Sequence, residues 1–261
     1  MLESIGQWTV PVTFGSLLSF FAVPHFFRVI ARYTARRPLL EIPVVPRAAV
    51  ASVLGWMLLL LFSKAMGSRA ETLELSLLAI QISCGLNLLI ALLLPLLLTE
   101  GGQRRREEAG LSLTDKRDQL RMGFAGCLAS LGPTLVLLVF SQFWRTMETE
   151  HVFLNALRNA QRAEIIAWIS VSAVIAAPLA EELLFRVTLQ GWLSERFSDS
   201  AAIVLTALFF AIIHGWRDAL PLMPLALILG YAYQKTRRYW VCVVTHGLFN
   251  ATNLLLTFAA G

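Results

Sequence analysis

The run Ile175-Ala-Ala-Pro-Leu-Ala-Glu-Glu-Leu-Leu-Phe-Arg-Val-Thr-Leu-Gln-Gly-Trp192 sets Glu181, Glu182 and Arg186 inside a stretch otherwise apolar enough to enter a bilayer. A charged side chain at the centre of a membrane helix costs about 2.5–3.5 kcal/mol even on the mildest insertion scale, so three together need partners or a purpose. Two further segments with polar groups at four-residue spacing follow, Phe210-Ala-Ile-Ile-His214 and His246-Gly-Leu-Phe-Asn250. The three segments supply two carboxylates, two imidazoles, a carboxamide and a guanidinium, the inventory of a buried hydrolytic centre.

Outward from this run the chain keeps the same character. Of 261 residues, 57% are hydrophobic and only 15% charged, and the mean hydropathy is +0.66. An ordinary soluble domain has a lower apolar fraction and is about one quarter charged. The apolar runs are continuous rather than alternating, which excludes a β-barrel pattern and predicts an all-α fold. Several reach the roughly 20 residues that cross a hydrocarbon core. Spans are expected at 8–28, 48–66, 73–98, 121–144, 165–189, 201–217, 220–235 and 240–259, giving a polytopic membrane helix bundle of about eight transmembrane helices. Residues 1–145 carry generic membrane helices, and residues 146–261 carry all three motifs.

The formal net charge of +5 raises the question of nucleic acid, but the bases lie in connections between apolar spans. Arg36, Arg37, Arg104, Arg105, Arg106, Lys116, Lys235 and Arg237 all fall after odd-numbered spans. The positive-inside bias accounts for them, placing these connections in the cytoplasm and both termini outside, with no nucleic-acid partner. The first span has no basic residue before it, which fits an uncleaved helix rather than a signal peptide. Cys84, Cys127 and Cys242 are widely spaced within apolar spans and read as buried free thiols. Pro38, Pro43 and Pro46 break the connection between the first two spans. Phe153, Leu154 and Leu157, opposite Glu150 and Arg158, predict a short amphipathic helix on the outer interface.

Within the deciding run, Pro178 removes one ladder bond just before the acidic pair and frees a carbonyl, which at membrane depth calls for a wet or protein-lined cavity. Consecutive helical residues point about 100° apart, so Glu181 and Glu182 are not expected to share a partner. Glu182 and Arg186, four apart, fit a structural ion pair, and Glu181 is left to face the cavity. A tuned carboxylate near an imidazole can take a proton from water. His246 and Asn250 share one face of the last helix, and both are residue types that stabilise an oxyanion.

Glu181-Glu182-x-x-x-Arg186, Phe210-x-x-x-His214 and His246-x-x-x-Asn250, in this order on successive late spans, resemble the CAAX prenyl endopeptidase and bacteriocin-processing membrane proteases, the CPBP (Abi) family. The resemblance covers roughly Ile165 to Asn253. It implies an intramembrane endopeptidase in which Glu181 and His214 activate water, His246 and Asn250 hold the oxyanion, and Glu182 and Arg186 support the site. It also implies a cavity open to the cytoplasmic side, which suits Glu181 near the cytoplasmic end of its span, whereas His214 falls deeper. The substrate is expected to be a membrane-associated protein or peptide, cut at a CAAX-type tail, a leader or a C-terminal segment without a required cofactor.

Other readings of the same residues differ in chemistry. Glu181, His214 and His246 would also make a three-ligand catalytic zinc set. Cys242, four residues before His246, could form a Cys–His nucleophilic pair. The motif residues could instead be ion-paired and hydrogen-bonded glue in a non-catalytic membrane immunity or assembly protein. The four aspartates, Asp115, Asp118, Asp199 and Asp218, lie in expected loops, so a paired-aspartate site is excluded. No G-x-S-x-G or H-E-x-x-H motif occurs.

Overall fold

The computed structural model describes residues 2–37, 45–67, 77–99, 107, 110–141 and 163–260. Among them the fold is all-α, with eight helices: α1 (Leu2–Ala35), α2 (Arg47–Gly67), α3 (Leu77–Thr99), α4 (Lys116–Ser141), α5 (Ala163–Ser194), α6 (Asp199–Ile213), α7 (Trp216–Thr236) and α8 (Tyr239–Ala260). The helices α3, α4, α5 and α8 are each long and apolar enough to cross a membrane. Leu86, Leu89, Leu92, Leu93 and Leu96 of α3 all stand exposed, an arrangement that suits hydrocarbon as the surrounding solvent. The architecture is that of an integral membrane protein. The interfacial helix expected around Phe153 and the Arg104–Arg106 cluster lie outside the described residues.

Small residues set how closely the helices approach. The α4 glycines Gly123 and Gly126 admit α8, because a Cβ on either would collide with Val244 or Thr245. The hydroxyl of Thr245 donates to the Gly123 carbonyl at 3.0 Å, which fixes the rotation of α8 one residue before His246. On the far side of α4, the Ser19 hydroxyl of α1 donates to Leu128 O at 3.0 Å and accepts from Gly132 N–H at 2.8 Å. Close backbone approach with hydroxyl bridges is how helices associate where no hydrophobic effect drives them together.

The helix ends correct the expected spans in one place that matters. The sixth span was expected to run to residue 217, but α6 stops at Ile213, with His214 as its cap and Gly215 at φ 111°. That φ is open to glycine and strained for any residue with a Cβ. At about 1.5 Å per residue, α6 is about 22 Å long, short of the roughly 30 Å hydrocarbon thickness. Its C-terminal end, and His214 with it, therefore stops inside the bundle.

The segment Gly110–Asp115 closes the other end of the site helices. Gly110, at φ 72°, lies against the Arg237 carbonyl, and its own carbonyl accepts from Tyr239 N–H at 3.1 Å. Leu111 O accepts from Trp240 Nε1 at 3.1 Å. Arg238 donates to Tyr33 Oη and to Thr114 Oγ1, both at 3.0 Å, and Asp115 pairs with Arg37. The start of α8 is thereby tied to the end of α1 and the entry to α4.

Candidate active site

The acidic pair sits in a helix of unusual register. Within α5, Ser172–Ala176 and Leu183–Gln190 are π-helical and flank the α-helical turn Ala177–Glu182. Single π turns are the usual form and cluster at functional sites. In the first π segment Ala177 N–H bonds Ser172 O. The next N–H in that register would serve Ala173 O, but it belongs to Pro178, which has none. The orphaned Ala173 carbonyl instead accepts from Asn250 Nδ2 at 2.8 Å. The carbonyl that the sequence expected Pro178 to free is thus closed by a motif residue of α8. Gly247 makes this docking possible, since a Cβ there would stand 2.8 Å from Val174 O.

Glu182 and Arg186 are fully buried and paired, Nε to Oε2, at 3.0 Å, as the four-residue spacing predicts. The other oxygen, Oε1, accepts from His246 Nδ1 at 2.8 Å. Glu181 Oε2 lies 3.7 Å from His214 Nε2 and 4.0 Å from His246 Nε2. Both glutamates therefore face His246, contrary to the expectation from their angular separation. The imidazole resolves the conflict, because its two nitrogens lie on different edges and each meets one carboxylate.

The two histidines have assigned tautomers. The Phe210 carbonyl, one of the last unpaired carbonyls of α6, lies 2.7 Å from His214 Nδ1. A carbonyl can only accept, so Nδ1 carries the hydrogen and Nε2 of the neutral ring presents a lone pair toward Glu181. His246 Nδ1 likewise donates to the Glu182–Arg186 pair, which directs its Nε2 at the same carboxylate oxygen. Glu181 and His214 are partly accessible, at 17% and 19% side-chain exposure, against 4% for His246 and 0% for Glu182 and Arg186.

Equal arm lengths explain how Glu181 meets His214. The turn 195–198 folds α5 and α6 into an antiparallel hairpin. Glu181 and His214 lie comparable distances from the turn along α5 and α6, each on the order of 20 Å by helical rise. The expectation that Glu181 lies near a helix end and His214 deeper is therefore corrected, since α5 continues to Ser194 and both residues reach similar depth. Phe210 joins the constellation. Its ring is 4.6 Å from that of His214, 5.7 Å and edge-on to that of His246, and 5.1 Å from the Arg186 guanidinium carbon.

Residues 163–252 match the Rce1-like family model, that of type II CAAX prenyl endopeptidases. All six motif residues lie within the match, which runs from the start of α5 into α8 and supports membership of a protease class for this part of the chain. No curated protein and no solved structure matches.

Sequence reasoning missed several contributors to this site. Phe210 was only a motif position, and Tyr239, whose hydroxyl donates to Leu179 O at 2.8 Å, gave no signal. Gln190 and Gln234 were missed although polar amides inside apolar spans are visible in the sequence. Cys242 turns its thiol to Leu229 O at 3.6 Å, so the Cys–His pair is not formed. Among the described residues no three His, Cys, Asp or Glu side chains are arranged to hold a metal. The 3.7 and 4.0 Å separations exceed the roughly 3.4 Å between ligand atoms of a tetrahedral zinc with bonds of about 2.0–2.1 Å.

Proposed function

We propose that this protein is an intramembrane endopeptidase that hydrolyses a peptide bond of a membrane-associated protein or peptide, with water activated by Glu181 and His214. The observation that carries the reading is the convergence of two imidazole Nε2 atoms from α6 and α8 on one oxygen of Glu181. The separations are too long for direct hydrogen bonds and suit a water or a substrate oxygen between the groups. A water held by Glu181 and the His214 lone pair loses its proton as it attacks the carbonyl carbon. The same pair then delivers that proton to the leaving amine.

His246 faces the oxyanion. Because its Nδ1–H is committed to Glu182, its Nε2 donates to the oxyanion when the ring carries both hydrogens, with Glu182 orienting the imidazole as the aspartate of a hydrolytic triad does. Asn250 has one amide hydrogen beyond that used on Ala173 O, available as a second donor. Arg186 holds Glu182. The Rce1-like match supports a CAAX-type C-terminal tail as the substrate class, with leader or other C-terminal processing as the alternatives, and a site reached from the cytoplasmic side. The test is mass spectrometry of membrane-protein termini from cells carrying the wild type or Glu181→Ala. A terminus present only with the wild type supports the reading and names the substrate. Identical termini, or full complementation by Glu181→Gln, favour a non-catalytic immunity or assembly role.

A further inference from the structure

A polar stripe leads away from the reaction centre along α5. Glu182, Arg186, Gln190 and Ser194 recur every four residues. The far end is closed by amide bonds. Gln190 Nε2 donates to Gly230 O at 2.9 Å and to Gln234 Oε1 at 3.0 Å, Ser194 Oγ donates to the same Gln234 oxygen at 3.1 Å, and Gln234 Nε2 donates to Asp199. The near end is the Arg186–Glu182–His246 chain.

Between the two ends, polar atoms are left over. Arg186, Gln190 and Thr206 are fully buried, and Arg186 Nη1 and Nη2, Gln190 Oε1 and Thr206 Oγ1 find no hydrogen-bond partner among the described residues. Thr206 is unlike Thr99, Thr236, Thr252 and Thr257, whose hydroxyls all bond the carbonyl one turn back. It lies one turn from Phe210, over whose ring the Arg186 guanidinium sits. A Cβ on Gly230 would stand 3.3 Å from Gln190 Oε1 and 3.0 Å from Ile203 Cγ2, so the amide oxygen lies toward the α6 face one turn from Thr206. Buried polar atoms are rarely left unmatched, and a water with two to four such partners is the usual solution. Here the guanidinium donates, the amide oxygen accepts and the hydroxyl does either.

We propose that Gln190 and Thr206 hold buried water against the Arg186 guanidinium, and that this bridge fixes the Arg186–Glu182–His246 chain, making both positioning residues of the reaction centre. The proposal rests on the hydrolytic reading for its consequence in rate, but its spectroscopic test does not. In the full-length protein in nanodiscs with 15N-labelled histidine, Thr206→Val and Gln190→Leu shift the His246 Nδ1 resonance and leave that of His214 in place. They also lower kcat about tenfold at unchanged KM, as expected for losing about one hydrogen bond's worth of positioning. Thr206→Ser restores both. Folded Thr206→Val and Gln190→Leu proteins with the wild-type His246 spectrum overturn the proposal. Where a variant fails to fold, a density map of the unmodified protein at a resolution that shows ordered water decides. Water bonded to an Arg186 Nη and to Thr206 or Gln190 supports the bridge, and Nη atoms packed directly on carbon overturn it. A wild-type chain that cleaves nothing refutes the hydrolytic reading while these two readouts still judge the bridge.

Discussion

Gly247→Ala brings a Cβ to 2.8 Å from the Val174 carbonyl oxygen, where ordinary contact begins near 3.4 Å. A backbone oxygen inside a helix cannot swing aside, so α8 must withdraw from α5 by about 0.6 Å. Two contacts register that movement. The Asn250–Ala173 bond of 2.8 Å stretches toward about 3.4 Å, the edge of a useful hydrogen bond, and His246 moves away from Glu181. Overpacking of this kind costs about 1–3 kcal/mol, against about 1 kcal/mol regained by replacing glycine with alanine in a helix interior. Stability therefore falls by only about 0–2 kcal/mol. A displacement of 1 Å at a catalytic centre costs about a hundredfold, so about 0.6 Å lowers kcat roughly tenfold. Thermal unfolding in detergent and single-turnover cleavage of the identified substrate measure the two effects on one preparation. A Gly247→Ala protein with wild-type kcat would refute the claim that α8 docking sets the geometry of the centre.

The adjacent glutamates are expected to separate cleanly. Glu181→Gln lowers cleavage by about 10²–10⁴ at an unchanged unfolding temperature, because Glu181 is partly exposed and does not hold the buried cation. Glu182→Gln leaves Arg186 a buried charge without its partner and costs about 3–5 kcal/mol, read by thermal or denaturant unfolding; equal stability of the two variants contradicts this division. Gly215→Ala forces a φ of 111° on a residue with a Cβ, costs about 1–3 kcal/mol and lowers kcat by shifting His214, whereas retained kcat separates the cap from catalysis. Exhaustive chelation leaves cleavage unchanged, with bound metal quantified on the same sample; loss of activity restored by zinc would instead support the ligand role of Glu181, His214 and His246.

The features legible in the sequence were those carried by periodicity and by the cost of charge in hydrocarbon. Continuous apolar runs gave the eight helices, and four-residue spacing gave the Glu182–Arg186 pair. What could not be read depends on register between helices. The π turns of α5 decide which carbonyl Pro178 orphans, and so the bond that Asn250 makes. Nothing in the local sequence specifies a π turn. The end of α6 was hidden because Gly215, whose φ of 111° stops the helix, is followed by an apolar Trp216 that lets the hydrophobic run read on. His246 shared between two glutamates was missed because angles around one helix say nothing about the shape of the ring arriving from another. The amides Gln190 and Gln234 carry no charge to announce them, and their meaning emerged only once α5 and α7 lay side by side.

The turn at 195–198 has a consequence for how this chain can change. Most surface connections accept insertions at small cost, but here one added residue would rotate α6 by about 100° and advance it about 1.5 Å. Ser198, whose hydroxyl accepts from Ala201 N–H at 3.3 Å, pins where α6 starts, and Glu195 accepts from Val45 N–H at 2.8 Å, pinning the turn to the segment before α2. The loop acts as a gauge block between two rulers. Substitutions there are expected to be tolerated wherever these anchors allow, whereas a change in its length would be felt at the Glu181–His214 contact some 20 Å away.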